Sequence, residues 1–314
     1  MRYKKSLAIV FSTALSAGAL AADPDPDPVP VPRSMAVMGD SITAGAIADY
    51  TVESWKNPFQ VLQLLDKILD MSVGKNLQAI ERKDLSWAAD HAKLMDELLV
   101  EEFEPAKLKY NNFAATGYST KQMLQYQVPQ MYEWSKRKLR QPVPDFVAMF
   151  IGANDICAQN IEDMTSVELF KDRVQGIVSE LLTKGKNNKV LLTELPNIES
   201  LWGLAKDHKL SKFKQVRTCS DVWTHLRCDT LLVLDSEAER KIVRQRVLDF
   251  NQVYSDVVRD ARKKFGDRVR LAGGFYEAAL TMEHLSADCF HPSRSGQKDI
   301  AKRIWSAAWW SQEP

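Results

Sequence analysis

The sequence predicts an α/β fold: a three-layer sandwich around a mostly parallel, five-stranded, flavodoxin-like sheet. Two observations carry this. Short apolar runs alternate with segments of helical periodicity along most of the chain, the pattern of βα units that build a parallel sheet. The 314 residues, 45% hydrophobic and 26% charged, also supply enough apolar material for one sizeable core.

The candidate strands are Ser34–Met38, Leu108–Phe113, Phe146–Ile151, Lys189–Leu192 and Arg268–Leu271, each short, as strands buried on both faces are. Between them, Pro58–Leu69 and Val167–Leu182 carry apolar residues at helical spacing, the second behind a possible capping box of Thr165 and Glu168. Glu237–Phe265 is the longest helical candidate, with Ile242, Val243, Val247, Phe250, Val253, Tyr254 and Val257 on one face. A closing helix is expected to start near Pro292 and Ser295 and run to Trp310. Two stretches break the alternation, Ala46–Phe103, mostly helical, and Asn197–Leu234, irregular. Insertions of this kind over a sheet often shape a substrate site.

Residues 1–21 have the order of a signal peptide: a basic start through Lys5, an apolar stretch Ser6–Leu20, and small residues Ala19 and Ala21 at cleavage spacing. Spanning a bilayer takes about 20 strongly apolar residues; this stretch is shorter and broken by Ser, Thr and Gly, so cleavage and export to a periplasm or the exterior are expected. Residues 22–32 are a Pro-rich linker, in which Pro at alternate positions favours an extended spacer. A single folded domain is expected over 33–314.

The 42 basic and 41 acidic residues give a net charge of +1, so no strong field draws nucleic acid or anionic lipid. No GxGxxG or Walker lysine follows the first strand, as a nucleotide site would need. His91, His208, His225 and His284 lack neighbours at metal-ligand spacing and read first as ordinary core or surface residues. No metal or other cofactor is expected, nor stable insertion into a membrane. Trp305, Trp309 and Trp310 are expected to pack on the sheet.

Four short blocks carry chemistry. Gly39-Asp40-Ser41 follows the first strand, placing Ser41 at the carboxyl edge of the sheet, where open α/β folds bind ligands. A Ser hydroxyl needs a base to become a nucleophile, and Asp288-Cys289-Phe290-His291 offers one with an acid close enough to orient it. Gly117 after the second strand and Gly152-Ala153-Asn154-Asp155 after the third supply a backbone N–H and a side-chain amide, the donor types that stabilise a developing oxyanion. Taken singly, each block reads equally well as a helix cap or a turn.

Taken in order, GDS, Gly, GxND and DxxH resemble the four blocks of SGNH/GDSL hydrolases, from Met35 to His291. The resemblance implies the SGNH hydrolase fold and a carboxylic ester hydrolase with no cofactor. It implies Ser41 as nucleophile, His291 as base oriented by Asp288, and an oxyanion hole of the Ser41 and Gly117 amides and the Asn154 side chain. The Cys residues beside two blocks, in FIGANDIC and ADCFHPS, are similar to the phospholipase B-like branch. A small-molecule or lipid ester is then the substrate. An O-acetylesterase acting on envelope polysaccharide and a non-catalytic binding module of the same fold are the alternatives. The insertions around Trp87 and Trp202 are expected to line the acyl or leaving-group pocket.

The four cysteines admit three pairings. Short separation favours Cys219 with Cys228, leaving Cys157 with Cys289.

Overall fold

The computed structural model describes residues 29–73, 75–102, 107–210, 217–226, 228–234 and 236–311, so the expected signal peptide and most of the linker lie outside the described residues. Five strands form among the described residues, each within one residue of its expected start and two of its expected end: β1 Ser34–Gly39, β2 Lys109–Asn112, β3 Phe146–Phe150, β4 Lys189–Thr193 and β5 Val269–Ala272. Their order is β2-β1-β3-β4-β5 and every pairing is parallel. Because β1 leads outward to β2 while β3, β4 and β5 run the other way, the order reverses beside β1. Chain leaving the carboxyl ends of β1 and β3 therefore diverges and leaves a crevice between them.

Helices cover both faces of the sheet. On one, Trp87–Glu102 packs beside the closing helix Arg294–Ala307. Phe146 of β3 stacks on the His91 ring at 5.5 Å and meets Trp310 edge-on at 5.0 Å, while Trp305 closes on His91 at 5.0 Å. The terminal tryptophans thus pack inward. His91 is a core residue, and its burial pushes the ring pKa down to about 3, so it stays neutral.

On the other face Val167–Lys184 packs along Glu237–Phe265. Phe170 and Phe250 stack with ring centres 3.7 Å apart, and the Tyr254 hydroxyl donates to the Ile151 carbonyl at the end of β3. The long helix has the expected bounds, but Ile242 is 47% exposed. Val243, Val247, Phe250, Tyr254 and Val257, spaced by three or four residues, form the buried stripe, and Ile242 falls on its flank. The cap of Val167–Lys184 is Ser166, which accepts from the Leu169 amide, so the Thr165–Glu168 box does not form. The closing helix starts at Arg294 behind Ser293 and ends at Ala307, short of Trp310.

The cysteine pairing differs from the expectation. Cys157 is bonded to Cys228 and Cys219 to Cys289. Closure entropy grows only slowly with loop length, so nearness in sequence decided little against the way the second insertion lies. Thr230, two residues past Cys228, bonds to the Ile156 carbonyl and to both backbone groups of Ala158, which brings Cys228 to Cys157. The helix Cys219–Trp223 lies against the loop of Asp288 and His291, with Trp223 Nε1 donating to the Asp288 carbonyl at 3.2 Å. Peptide mapping of the unreduced protein should therefore recover Cys157 with Cys228 and Cys219 with Cys289; a fragment joining Cys219 to Cys228 would contradict this arrangement.

Candidate functional site

Gly39 ends β1 against β3, opposite Phe150. A Cβ at this position would collide with the Phe150 carbonyl and the Thr43 side chain, so only glycine lets the chain turn here. Gln127 holds the turn from behind, accepting from the Gly39 amide at 3.0 Å and donating to its carbonyl at 2.7 Å. Asp40 caps the short helix Ser41–Ala44 by accepting from the Ile42 amide, and Ser41 becomes the first residue of that helix.

At the other end of the chain, residues 285–292 fold back on themselves. Leu285 pairs with Pro292, and the Ser286 amide donates to the His291 carbonyl at 2.8 Å. Cys289 turns the loop at φ 58°, a left-handed conformation that costs a non-glycine residue about 1 kcal/mol. Its disulfide to Cys219, the Trp223 bond to the Asp288 carbonyl and a Trp55 Nε1 bond to the Ala287 carbonyl at 2.6 Å hold it there.

These two segments bring together the three residues expected to act as one. His291 Nε2 lies 2.8 Å from Ser41 Oγ, and His291 Nδ1 lies 2.5 Å from Asp288 Oδ2. Asp288 Oδ1 accepts from Ser286 Oγ and from the Phe290 and His291 amides at 2.8–3.0 Å. An ionised carboxylate only accepts, so Nδ1 carries the ring proton and Nε2 is left to take one from the serine. Asp288 is wholly buried. Burial alone would raise its carboxyl, but the charge of His291 and the bonds it accepts outweigh that and hold it below the ordinary carboxylate range. Burial alone would lower His291; the Asp288 charge and bond, aided by Asp40, raise it above its usual value.

The expected donors lie on the neighbouring loops. Asn154 follows Gly152, whose φ of 118° is one that side chains rarely adopt and whose Cβ would press on Phe170 and Leu195 at 3.2–3.3 Å. One Asn154 amide hydrogen goes to the Tyr118 carbonyl at 3.0 Å, tying the loop after β3 to the loop after β2 that holds Gly117. The same two loops are joined a second time. Asp155 accepts from the Thr120 amide and hydroxyl at 2.8 and 2.6 Å, with Arg173 at 3.4 Å.

His284, the other histidine near this loop, has its Nδ1 beside Thr281. Trp87, in an insertion expected to line a pocket, is fully buried, with its indole nitrogen 3.3 Å from Thr43 Oγ1. It and Gln297, which donates to the Ile42 carbonyl at 2.8 Å, brace the Ser41 helix from below.

The model of the GDSL-like lipase/acylhydrolase family matches residues 35–304. The chain belongs to this family. This GDSL hydrolase is accordingly a carboxylic ester hydrolase. Among solved structures it is similar to a lipase/acylhydrolase from Enterococcus faecalis (18% identity, 87% of this chain and 93% of that one, TM-score 0.46). It is also similar to phospholipase A1 from Streptomyces albidoflavus NA297 (16%, 88% and 100%, TM-score 0.45) and to the acetylxylan esterase Axe2 from Geobacillus stearothermophilus (14%, 90% and 97%, TM-score 0.43). No curated protein matches the sequence.

Sequence reasoning passed over Asp40, although it stands inside the first block of this GDSL hydrolase. Its carboxyl is buried, and Oδ2 has no hydrogen-bond partner among the described residues. Burial pushes its pKa up to about 7, against the pull of the Ile42 amide and of His291, with Asp155 adding to the rise. A raised carboxyl holds its proton in the fold after the unfolded chain has released it, so stability is full below about pH 4 and declines as pH rises to about 7. Asn at this position has no proton to lose. The stability of Asp40→Asn relative to the parent, followed by denaturant unfolding, should therefore shift in the variant's favour by up to about 4 kcal/mol across this window. A pH-independent difference would show that Asp40 is ionised throughout.

Proposed function

We infer that this GDSL hydrolase is an exported serine esterase or lipase that cleaves carboxylic esters with Ser41, His291 and Asp288 as its catalytic triad. The observation that carries the reading is the continuous hydrogen-bonded chain from Ser41 Oγ through both nitrogens of His291 to a buried carboxylate. Ser41 Oγ attacks the ester carbonyl as its proton passes to His291 Nε2, and Asp288 stabilises the imidazolium that forms. Collapse of the tetrahedral intermediate expels the alcohol, which takes the proton from His291. Water, deprotonated by His291, then attacks the acyl group on Ser41; the acyl–Oγ bond breaks, His291 returns the proton to Ser41 Oγ, and the carboxylic acid leaves.

The charge that gathers on the carbonyl oxygen is met by three donors. The Ser41 amide, first in its helix, has no acceptor within that helix. Gly117 contributes a backbone N–H, and the second hydrogen of the Asn154 amide is left over from its bond to Tyr118. Two disulfides and the absence, among the described residues, of any helix long and apolar enough to cross a membrane are compatible with export after cleavage of residues 1–21.

If the triad acts as a unit, the losses do not add. Ser41→Ala should abolish nearly all ester hydrolysis, and His291→Ala on the Ser41→Ala background should cost almost nothing further, because the base has lost the hydroxyl it serves. Steady-state rates on a p-nitrophenyl ester measure this. A double variant markedly slower than Ser41→Ala would separate the two residues and end the proposal.

A further inference from the structure

Beside the triad a cavity of about 90 Å³ opens at the carboxyl edge of the sheet. Four of its lining residues are the chain neighbours of site residues: Ile42 follows Ser41, Ala153 precedes Asn154, and Phe290 and Pro292 flank His291. The Phe290 ring stands edge-on to the His291 ring at 4.9 Å. The remaining wall is built largely of Phe150, Ile198, Leu201, Phe275, Leu280 and Leu285. Two charged residues also line it, Asp299 and Arg303, and they pair with each other at 2.7 Å. The second insertion reaches this cavity through Ile198 and Leu201, on the helix Ile198–Ala205, whereas none of the described residues of the first lines it.

We propose that this cavity holds the acyl chain of the ester and selects butanoyl to octanoyl groups over acetyl, an inference that rests on the triad reading above. Size argues for it. On the measure by which the cavity is about 90 Å³, one water-sized group needs about 10–15 Å³, so an acetyl methyl would leave most of the cavity empty, while a chain several methylenes longer fills it. Lining argues for it too, because a wall that is mostly apolar, with Asn197 and His284 among its polar members and Asp299 paired to Arg303, gains from burying methylene groups. The acyl chain is preferred to the alcohol as occupant because it stays bonded to Ser41 until water releases it. The alcohol must leave at the first step, for which an apolar enclosure is unsuited.

The test is kcat/KM on p-nitrophenyl esters from acetate to decanoate, paired with acetates of lengthening alkyl alcohols. The parent should gain about fourfold per methylene up to hexanoate or octanoate, the worth of one buried CH2. Ala278→Trp, which fills the cavity from a half-buried wall position, should flatten that rise and leave acetate unchanged. Leu201→Ala, which enlarges the cavity, should move the optimum to longer chains, so the inference can be judged even if the tryptophan variant fails to fold. Ser41-dependent turnover that is highest on acetate, or variants that alter only the alcohol series, would overturn the acyl pocket and leave the triad intact. Ester turnover that survives Ser41→Ala would overturn the triad reading, and the pocket with it.

Discussion

A carboxylate with no exposed surface sits at the centre of this molecule, and much of the chain is arranged around keeping it charged. Taking an ion of this size out of water costs several kcal/mol even after the protein relaxes. Asp288 recovers that cost through Ser286 Oγ, two amides of its own loop and the His291 ring. Those bonds require residues 285–292 to double back within a few positions, which places Cys289 in the left-handed region. A loop so bent needs support from outside. Trp55 from the first insertion and Trp223 and Cys219 from the second supply it, each fixed to one of three consecutive residues, 287, 288 and 289. The insertions thus clamp the loop of Asp288 and His291, and the second also furnishes part of the neighbouring apolar wall.

Ser41, the proposed nucleophile, is held by a different part of the fold. The strand order opens a crevice between the chains leaving β1 and β3; Gly39 lets one turn where a side chain would collide, and Gly152 lets the other turn at a φ of 118°. Gln127, Trp87 and Gln297 fix the Ser41 helix, while Asn154 and Asp155 join the loops after β2 and β3. In the proposed mechanism, donors held this rigidly need no reorganisation when charge develops. Stability is given up in return, since Asp40 and Asp155 are two buried acids whose carboxyls burial raises and which repel each other when ionised. Natural proteins commonly trade stability for function in this manner.

β1, β3 and β4 were legible as short apolar runs, while β2 is a polar Lys-Tyr-Asn-Asn strand at the sheet edge. The Ser41, Gly117 and Asn154 blocks were legible because each follows a strand, whereas Asp288 and His291 lie well beyond β5, which ends at Ala272. Ser41, His291 and Asp288 meet although 250 residues separate the first two. What the sequence concealed depends on three-dimensional neighbours. The disulfide pairing followed from how the second insertion crosses the site, which no spacing encodes. Trp87 looks the same in sequence whether it lines a pocket or braces a helix, and only its bond to Thr43 tells the two apart. Asp40 was hidden by its own motif, because a helix cap and a buried acid of raised pKa are written with the same letter. Gln127 lies in a helical stretch with no signal beyond being a glutamine among apolar neighbours.

The central claim is that Ser41, alone among the serines, is the hydroxyl activated by His291. Incubation with an alkyl organophosphonate, followed by peptide mass spectrometry, tests it most directly, because such reagents form a stable bond only with a nucleophilic serine. One adduct per chain is expected, on the peptide containing Gly39-Asp40-Ser41, and none in the His291→Ala protein. An adduct on a different serine, or labelling of Ser41 that persists at the parent rate without His291, would contradict it.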